Sequence, residues 1–193
     1  MNTPTHFLMT AAVRKAMPAL RMPKSAVLIG SVAPDVPLYL LSFGGFLYFH
    51  NLLGWSMRDA GRHIYGYLYF NDPGWIAFHS LLHSPVSLLL GFLLVQQIRS
   101  RAPRFAHWMN WFLAACLLHS IVDILTHFDD GPVLLWPLEW HFRFHSPVSY
   151  WDAAHFGREF FFFEATLAVA LGAYVGVPWL WKRVFVRLRA EES

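Results

Sequence analysis

Residues 106–127, AHWMNWFLAACLLHSIVDILTH, decide how this chain is read. The stretch is largely apolar and reaches the ~20 residues a helix needs to cross the hydrocarbon core. Its last third carries His119, Asp123 and His127 at four-residue intervals, which stacks them on one helix face. Ionisable groups inside an apolar helix are costly and mark functional positions. Upstream, FHSLLHSP repeats the interval with His79 and His83. One such histidine would suggest a hydrogen bond between helices. Five ligand-type residues in two series point instead to a cation site in or beside a membrane.

Composition supports the membrane. Of 193 residues, 56% are hydrophobic and only 14% charged, with a mean hydropathy of +0.38, whereas soluble domains carry about 25% charged residues. The formal charge of +3 gives no reason to expect a nucleic-acid partner. Cys116 is the single cysteine, which excludes an intrachain disulfide and a multi-thiolate zinc site. A cleavable signal is not expected, because apolar residues 7–13 follow His6 and precede Arg14 and Lys15, the wrong order of charge.

Working outward, 76–98 and 160–181 also read as spanning helices. A fourth span, 25–49, is interrupted by GSVAPDVP, where Pro34 and Pro37 remove backbone donors. The expected fold is therefore all-α: an integral membrane bundle of about four spanning helices, the first broken. A short N-terminal helix would begin with Thr3 as N-cap and Pro4 at its first position and end near Pro18. The whole of 1–193 forms one domain, with outer cap loops at about 50–75 and 128–159 and an interfacial helix near 56–70. Arg14, Lys15, Arg21, Lys24, Arg99, Arg101, Arg104, Lys182, Arg183, Arg187 and Arg189 fall on one side of this topology. The positive-inside rule then puts both termini in the cytoplasm of a cell, or inner, membrane. Trp108, Trp111, Trp179 and Trp181 would flank that interface, and Trp75, Trp136, Trp140 and Trp151 the other.

The two histidine strips fall at similar depth, so His79, His83, His119, Asp123 and His127 are candidate metal ligands. Asp35, which follows a proline within a broken span, joins them as a ligand with an N-cap as its alternative. His6 is a weaker candidate, because simple topology leaves it on the opposite side. Glu164, a turn inside the last span, reads as a ligand, a general base or a protonated core residue. Asp130 is a candidate to orient water, although it, Asp129 and Asp152 also suit turns and caps. Arg143 and Arg158 lie on the site side, for an anionic phosphate or for lipid headgroups. His141 and His145 form another HxxxH in a segment that is not clearly helical. His50, His63, His107 and His155 read as interfacial. No P-loop, GxSxG elbow or HExxH motif is present.

The ordered set TH, GSVAPD, HSLLHS, HSIVDILTH and GPVLLWP, covering most of residues 3–138, resembles the bacterial membrane-bound metal-dependent hydrolases. That resemblance implies His6, Asp35, His79 or His83, His119 and Asp123 as site residues. A fainter similarity links the chain to zinc-dependent phospholipase C and single-strand nucleases, all-helical enzymes with a multinuclear zinc cluster and an HxxxD helix. Those are soluble, and they begin with a processed ligand residue where this chain has methionine. The resemblance implies a divalent metal, zinc first and manganese or iron as alternatives. The metal would activate water against a phosphoester or lipid-type substrate from the surrounding membrane lipid, with Glu164 or Asp130 orienting the water and Arg143 or Arg158 stabilising charge. Rival readings are a non-catalytic metal or proton carrier, a di-iron membrane oxygenase, a haem bundle with His83 and His119 as axial ligands, and a structural metal clamp.

Overall fold

The computed structural model describes residues 1–191, and within them it describes no side chain at 179–180 or 182–191. Trp179, Lys182, Arg183, Arg187 and Arg189, part of the charge and aromatic argument above, therefore have side chains outside the described residues. The described residues are helical apart from turns, one irregular cap and an isolated bridge between Val133 and Arg143.

The core of the bundle is α8, Pro103–Thr126, a single helix of 24 residues. It begins with proline at its first turn, where a missing N–H costs nothing. One face packs on α7, Pro85–Ile98, through Leu88, Val95, Ala106, Leu113 and Cys116. Another meets α2, Lys24–Gly30, through Met22, Val27 and Ala115. Small residues let backbones approach where lipid supplies no hydrophobic drive. Gly30 is the extreme case, since an added Cβ would strike the Phe112 carbonyl oxygen and come within 2.9 Å of the Ala115 Cβ.

Among the described residues, two helices are long and apolar enough to span: α8 and the Gly157–Pro178 part of α9, Gly157–Glu191. The segment expected at 76–98 is α6, Pro73–Ser80, followed by α7, with a 54° bend between them. Pro85 has no N–H to give and disfavours helix in Ser84 before it, so the chain turns. If that pair counts as one span the total is three, against about four expected. The difference lies at 25–49, which is not a span. It splits into α2 of 7 residues and α3, Val36–Phe46, of 11, joined by a turn at 31–35. Each is shorter than the ~20 residues a crossing needs.

The N-terminal helix α1 runs Thr3–Ala16, with Asn2 rather than Thr3 at the cap. It packs along α9, where the Lys15 amine lies on the Tyr174 carbonyl and 4.2 Å from that ring's centre. The 50–75 cap is mostly helical rather than a loop. A π-helical turn at Leu47–Leu52 leads to α4, Met57–His63, then a second π turn at Ile64–Leu68 and α5, Tyr69–Asn71. Ser56 caps α4 by accepting from the Asp59 N–H. The other cap, after α8, is irregular. It is tied down by the Ser84 hydroxyl, which donates to the Leu134 and Trp136 carbonyls at 3.0 Å each.

Candidate metal centre

The break at 31–35 builds the site. α2 ends at Gly30, and the carbonyl of Ser31 just beyond it accepts from no backbone N–H of the turn. It meets His119 Nδ1 at 2.8 Å. A carbonyl only accepts, so Nδ1 donates and Nε2 is left directed at the carboxylates. Nε2 faces Asp123 Oδ2 at 3.0 Å and Asp35 Oδ1 at 3.3 Å, and makes no hydrogen bond. Asp35 arrives from the far side of the same break and accepts from the Thr3 hydroxyl. His83 arrives from the α6–α7 bend, with its backbone carbonyl held by the Ser120 hydroxyl. Asp35, His83, His119 and Asp123 each offer one atom, and these atoms lie within 4.8 Å of one another.

The carboxylate of Asp123, only 3% exposed, divides the histidines between its oxygens. His83 Nε2, at 3.1 Å, and His119 lie on Oδ2. His6 Nε2, at 2.9 Å, and His127 Nε2, at 3.5 Å, lie on Oδ1 with the Met1 amino nitrogen at 2.9 Å. That nitrogen also donates to Thr126 Oγ1 at 3.0 Å. His127 is oriented as His119 is: its Nδ1 is 3.2 Å from Asp130 Oδ1, leaving Nε2 toward the site. Asp130 is fixed in turn by the Trp151 indole at 2.8 Å. Burial works to raise the Asp130 carboxyl, but the bonds from His127 and Trp151 outweigh it and hold the group below the usual carboxylate range.

His6, expected at the opposite side, is fully buried and stacks on His119 with ring centres 3.7 Å apart. The reason is that α1 is not a span: it starts beside the last turns of α8 and runs back along the bundle. His79 lies against His83 at 4.4 Å and lines the cavity without reaching Asp123. The cavity measures about 600 Å³, within the usual range for ligand pockets. Its floor is Asp35, His83, Asp123 and His127; its walls are Tyr39, Tyr65, Tyr69, Phe70, Tyr150 and Trp151. Burial pushes the Tyr69 phenol up to about 12, so it stays a neutral donor, given to the Asp130 carbonyl at 2.7 Å.

Three of the expected catalytic groups sit elsewhere. Arg143 donates to the Gly131 carbonyl and rests over the Tyr69 and Phe70 rings at 4.8 and 5.2 Å, so it braces the cavity wall from behind. Arg158 is exposed and makes no hydrogen bond or ion pair among the described residues. Among the described residues, no Lys or Arg lines the cavity. Glu164 is buried, and both its oxygens accept from Asn2, the backbone N–H at 2.7 Å and the side-chain amide at 2.9 Å. It anchors the start of α1. Glu164→Ala should therefore cost about 1–3 kcal/mol in thermal unfolding, the range for leaving buried hydrogen-bond partners unsatisfied, while metal content stays unchanged. Loss of metal at unchanged stability would make Glu164 a ligand instead. His141 and His145 are exposed in the irregular cap, and Asp152 caps a short 3-10 turn by accepting from the Ala154 N–H.

The sequence reading missed the Ser31 carbonyl, Thr3, Thr126 and the aromatic walls. A backbone acceptor leaves no residue-type signal. The only pointer to it was the proline pair that breaks the helix.

No curated protein and no solved structure matches the chain. One family model does, that of the YdjM inner membrane protein, over residues 1–186. With nearly the whole chain covered, and with apolar helices long enough to span, the protein belongs to the YdjM inner membrane protein family.

Proposed function

We propose that the chain is a membrane-embedded metal-dependent hydrolase of phosphoester or lipid-type substrates. The observation that carries this reading is His119 Nε2, directed by the Ser31 carbonyl at two carboxylates and hydrogen-bonded to neither. A cation among the three groups would take the Nε2 lone pair of the neutral ring and the two carboxylates as ligands. Imidazole and carboxylate donors suit zinc, with manganese or iron as alternatives.

Asp35, His83, His119 and Asp123 would hold the ion. His6 and His127 lie on the other oxygen of Asp123, where the Met1 amine also donates, and they hold that carboxylate in place. A divalent ion bound by the four ligands supplies Lewis acidity toward an ester oxygen and lowers the pKa of water toward neutrality. The chain does the rest. Asp130 holds the His127 ring by its Nδ1 proton. Asp129, exposed on the cavity lining and without a hydrogen-bond partner among the described residues, is the carboxylate free to accept a proton. The aromatic walls exclude water from the floor. Neither arginine is needed in this scheme, since the bound ion would meet the substrate's negative charge.

The test is hydrolysis by purified protein in nanodiscs over a panel of phosphomonoesters, phosphodiesters and carboxylic esters. Activity should vanish with chelation, return with zinc or manganese, and be absent in His119→Ala. Bound metal with no turnover across the panel would favour the second reading, a metal or proton carrier. A specific feature supports that alternative: His83, His119, His6 and His127 lie 3.1, 3.0, 2.9 and 3.5 Å from the two oxygens of one buried carboxylate, Asp123, through which a proton could pass from ring to ring.

A further inference from the structure

The wall of the cavity formed by α3 continues outside it. Leu38 and Tyr39 line the cavity, and Tyr39 is also exposed on the helix surface next to Val36, Leu40, Phe43 and Leu47, all exposed. The spacing 36, 40, 43, 47 is a single helical stripe. Its opposite face is covered: Pro37 and Ser42 are buried, and the backbone at Gly45 lies against Ile64 and Trp75. No charged residue occurs from Val36 to Phe49. Beside the stripe, a Cβ added at Gly44 would meet nothing within 4 Å, so the surface there is an open shelf. Tyr48, Trp55, Tyr65 and Tyr67, exposed on the same arm of residues 36–71, are the residue types that settle at a membrane–water boundary.

We propose that this stripe is the binding surface for the hydrocarbon chain of a membrane lipid whose polar head occupies the cavity, so that substrate reaches the site sideways from the bilayer past Tyr39. The inference rests on the cavity being the substrate site of the hydrolase proposed above. Three observations select a lipid over a protein partner. The stripe is continuous with the cavity through one residue, Tyr39. The rise from Val36 to Leu47 corresponds to roughly 16 Å at about 1.5 Å per residue step, about the depth of one leaflet of a ~30 Å hydrocarbon core. The stripe also offers no polar or charged group to register a peptide, while a lipid tail requires none.

Full-length protein in nanodiscs containing a phospholipid with a diazirine in its acyl chain tests the route directly. Photolysis should cross-link lipid within residues 36–47, and Phe43→Asp or Leu40→Asp should remove those adducts while leaving adducts at the exposed Phe161–Phe163 face of α9 intact. Because both side chains are exposed, the variants retain their fold and metal, which metal content checks. Adducts confined to other helices in the wild type, or α3 adducts indifferent to both substitutions, would overturn the proposal. With turnover as readout, Phe43→Asp should slow cleavage of the long-chain phospholipid at least tenfold and leave a short, water-soluble phosphoester unaffected. Equal losses on both would overturn the route. No turnover of either by wild type would instead defeat the hydrolase reading, with the cross-links still deciding the route.

Discussion

Alanine at Asp123 should reduce divalent-metal affinity by roughly a hundredfold or more, beyond the 10–100-fold that loss of a supporting partner costs. The size follows from its position. Four imidazole nitrogens from three segments of the chain lie on its two oxygens, His83 and His119 on one, His6 and His127 on the other, the last beside the Met1 amine. Removing the carboxylate takes away a ligand and leaves buried imidazoles and the amine without their shared acceptor. Asp123→Asn separates charge from shape, since it keeps the volume and one oxygen; it should retain insertion and helix content and still lose most of the metal. Metal titration of both variants, alongside circular dichroism, reads the result. Full occupancy in Asp123→Ala would remove the residue from the centre of the account.

A valine at Gly30 should be as damaging although it touches no ligand. The added Cβ meets the Phe112 carbonyl oxygen and the Ala115 Cβ, which are α8 backbone and its adjacent methyl, so no flexible side chain can yield. Overpacking of this kind costs about 1–3 kcal/mol. The strain is relieved by moving α2 away from α8, which withdraws the Ser31 carbonyl from His119 Nδ1. That releases the tautomer and ring orientation, so metal affinity should fall about 10–100-fold, as for loss of an outer partner. Gly30→Ala places the same Cβ and should show the same pair of effects, smaller. Thermal unfolding and metal titration should move together; destabilisation at unchanged affinity would show that the Ser31 bond is not what orients His119.

The site was legible in the sequence where one helix carries the information. His119, Asp123 and His127 share a period of 3.6 on α8, and Asp35 announces itself as an acid between prolines that break an apolar run. Legibility ended where geometry depends on how short helices pack. The 25–49 run has the hydropathy of a span, and only the prolines at 34 and 37 convert it into two helices too short to cross. His6 is a weaker candidate in the sequence for a related cause. A charge rule for loops assumes that each helix crosses, and α1, at 14 residues, does not. Glu164 illustrates the reverse error. An acid inside an apolar helix signals cost, but the sequence does not say that its partner is Asn2, 162 positions away. Arg143, read from the sequence as an anion-holding group, has its guanidinium on the Gly131 carbonyl, the Tyr69 hydroxyl and two rings behind the wall.

The composition reading fared better than the span count, for a physical reason. A low charged fraction and three apolar segments depend on no packing detail, so the all-helical membrane class survived. The bend between α6 and α7 has a local cause in Pro85, but its consequence, turning His83 inward while His79 stays at the cavity, requires the neighbouring α8 to be known.

The most direct test of the account is elemental analysis of detergent-purified wild-type protein beside an Asp123→Ala, His119→Ala double variant, each reconstituted with zinc or manganese. The account predicts at least one equivalent of metal in the wild type and almost none in the variant, with membrane insertion unchanged. Absence of metal from the reconstituted wild type, or equal metal in both proteins, would contradict it and leave the histidines and aspartates as a polar relay within the bundle.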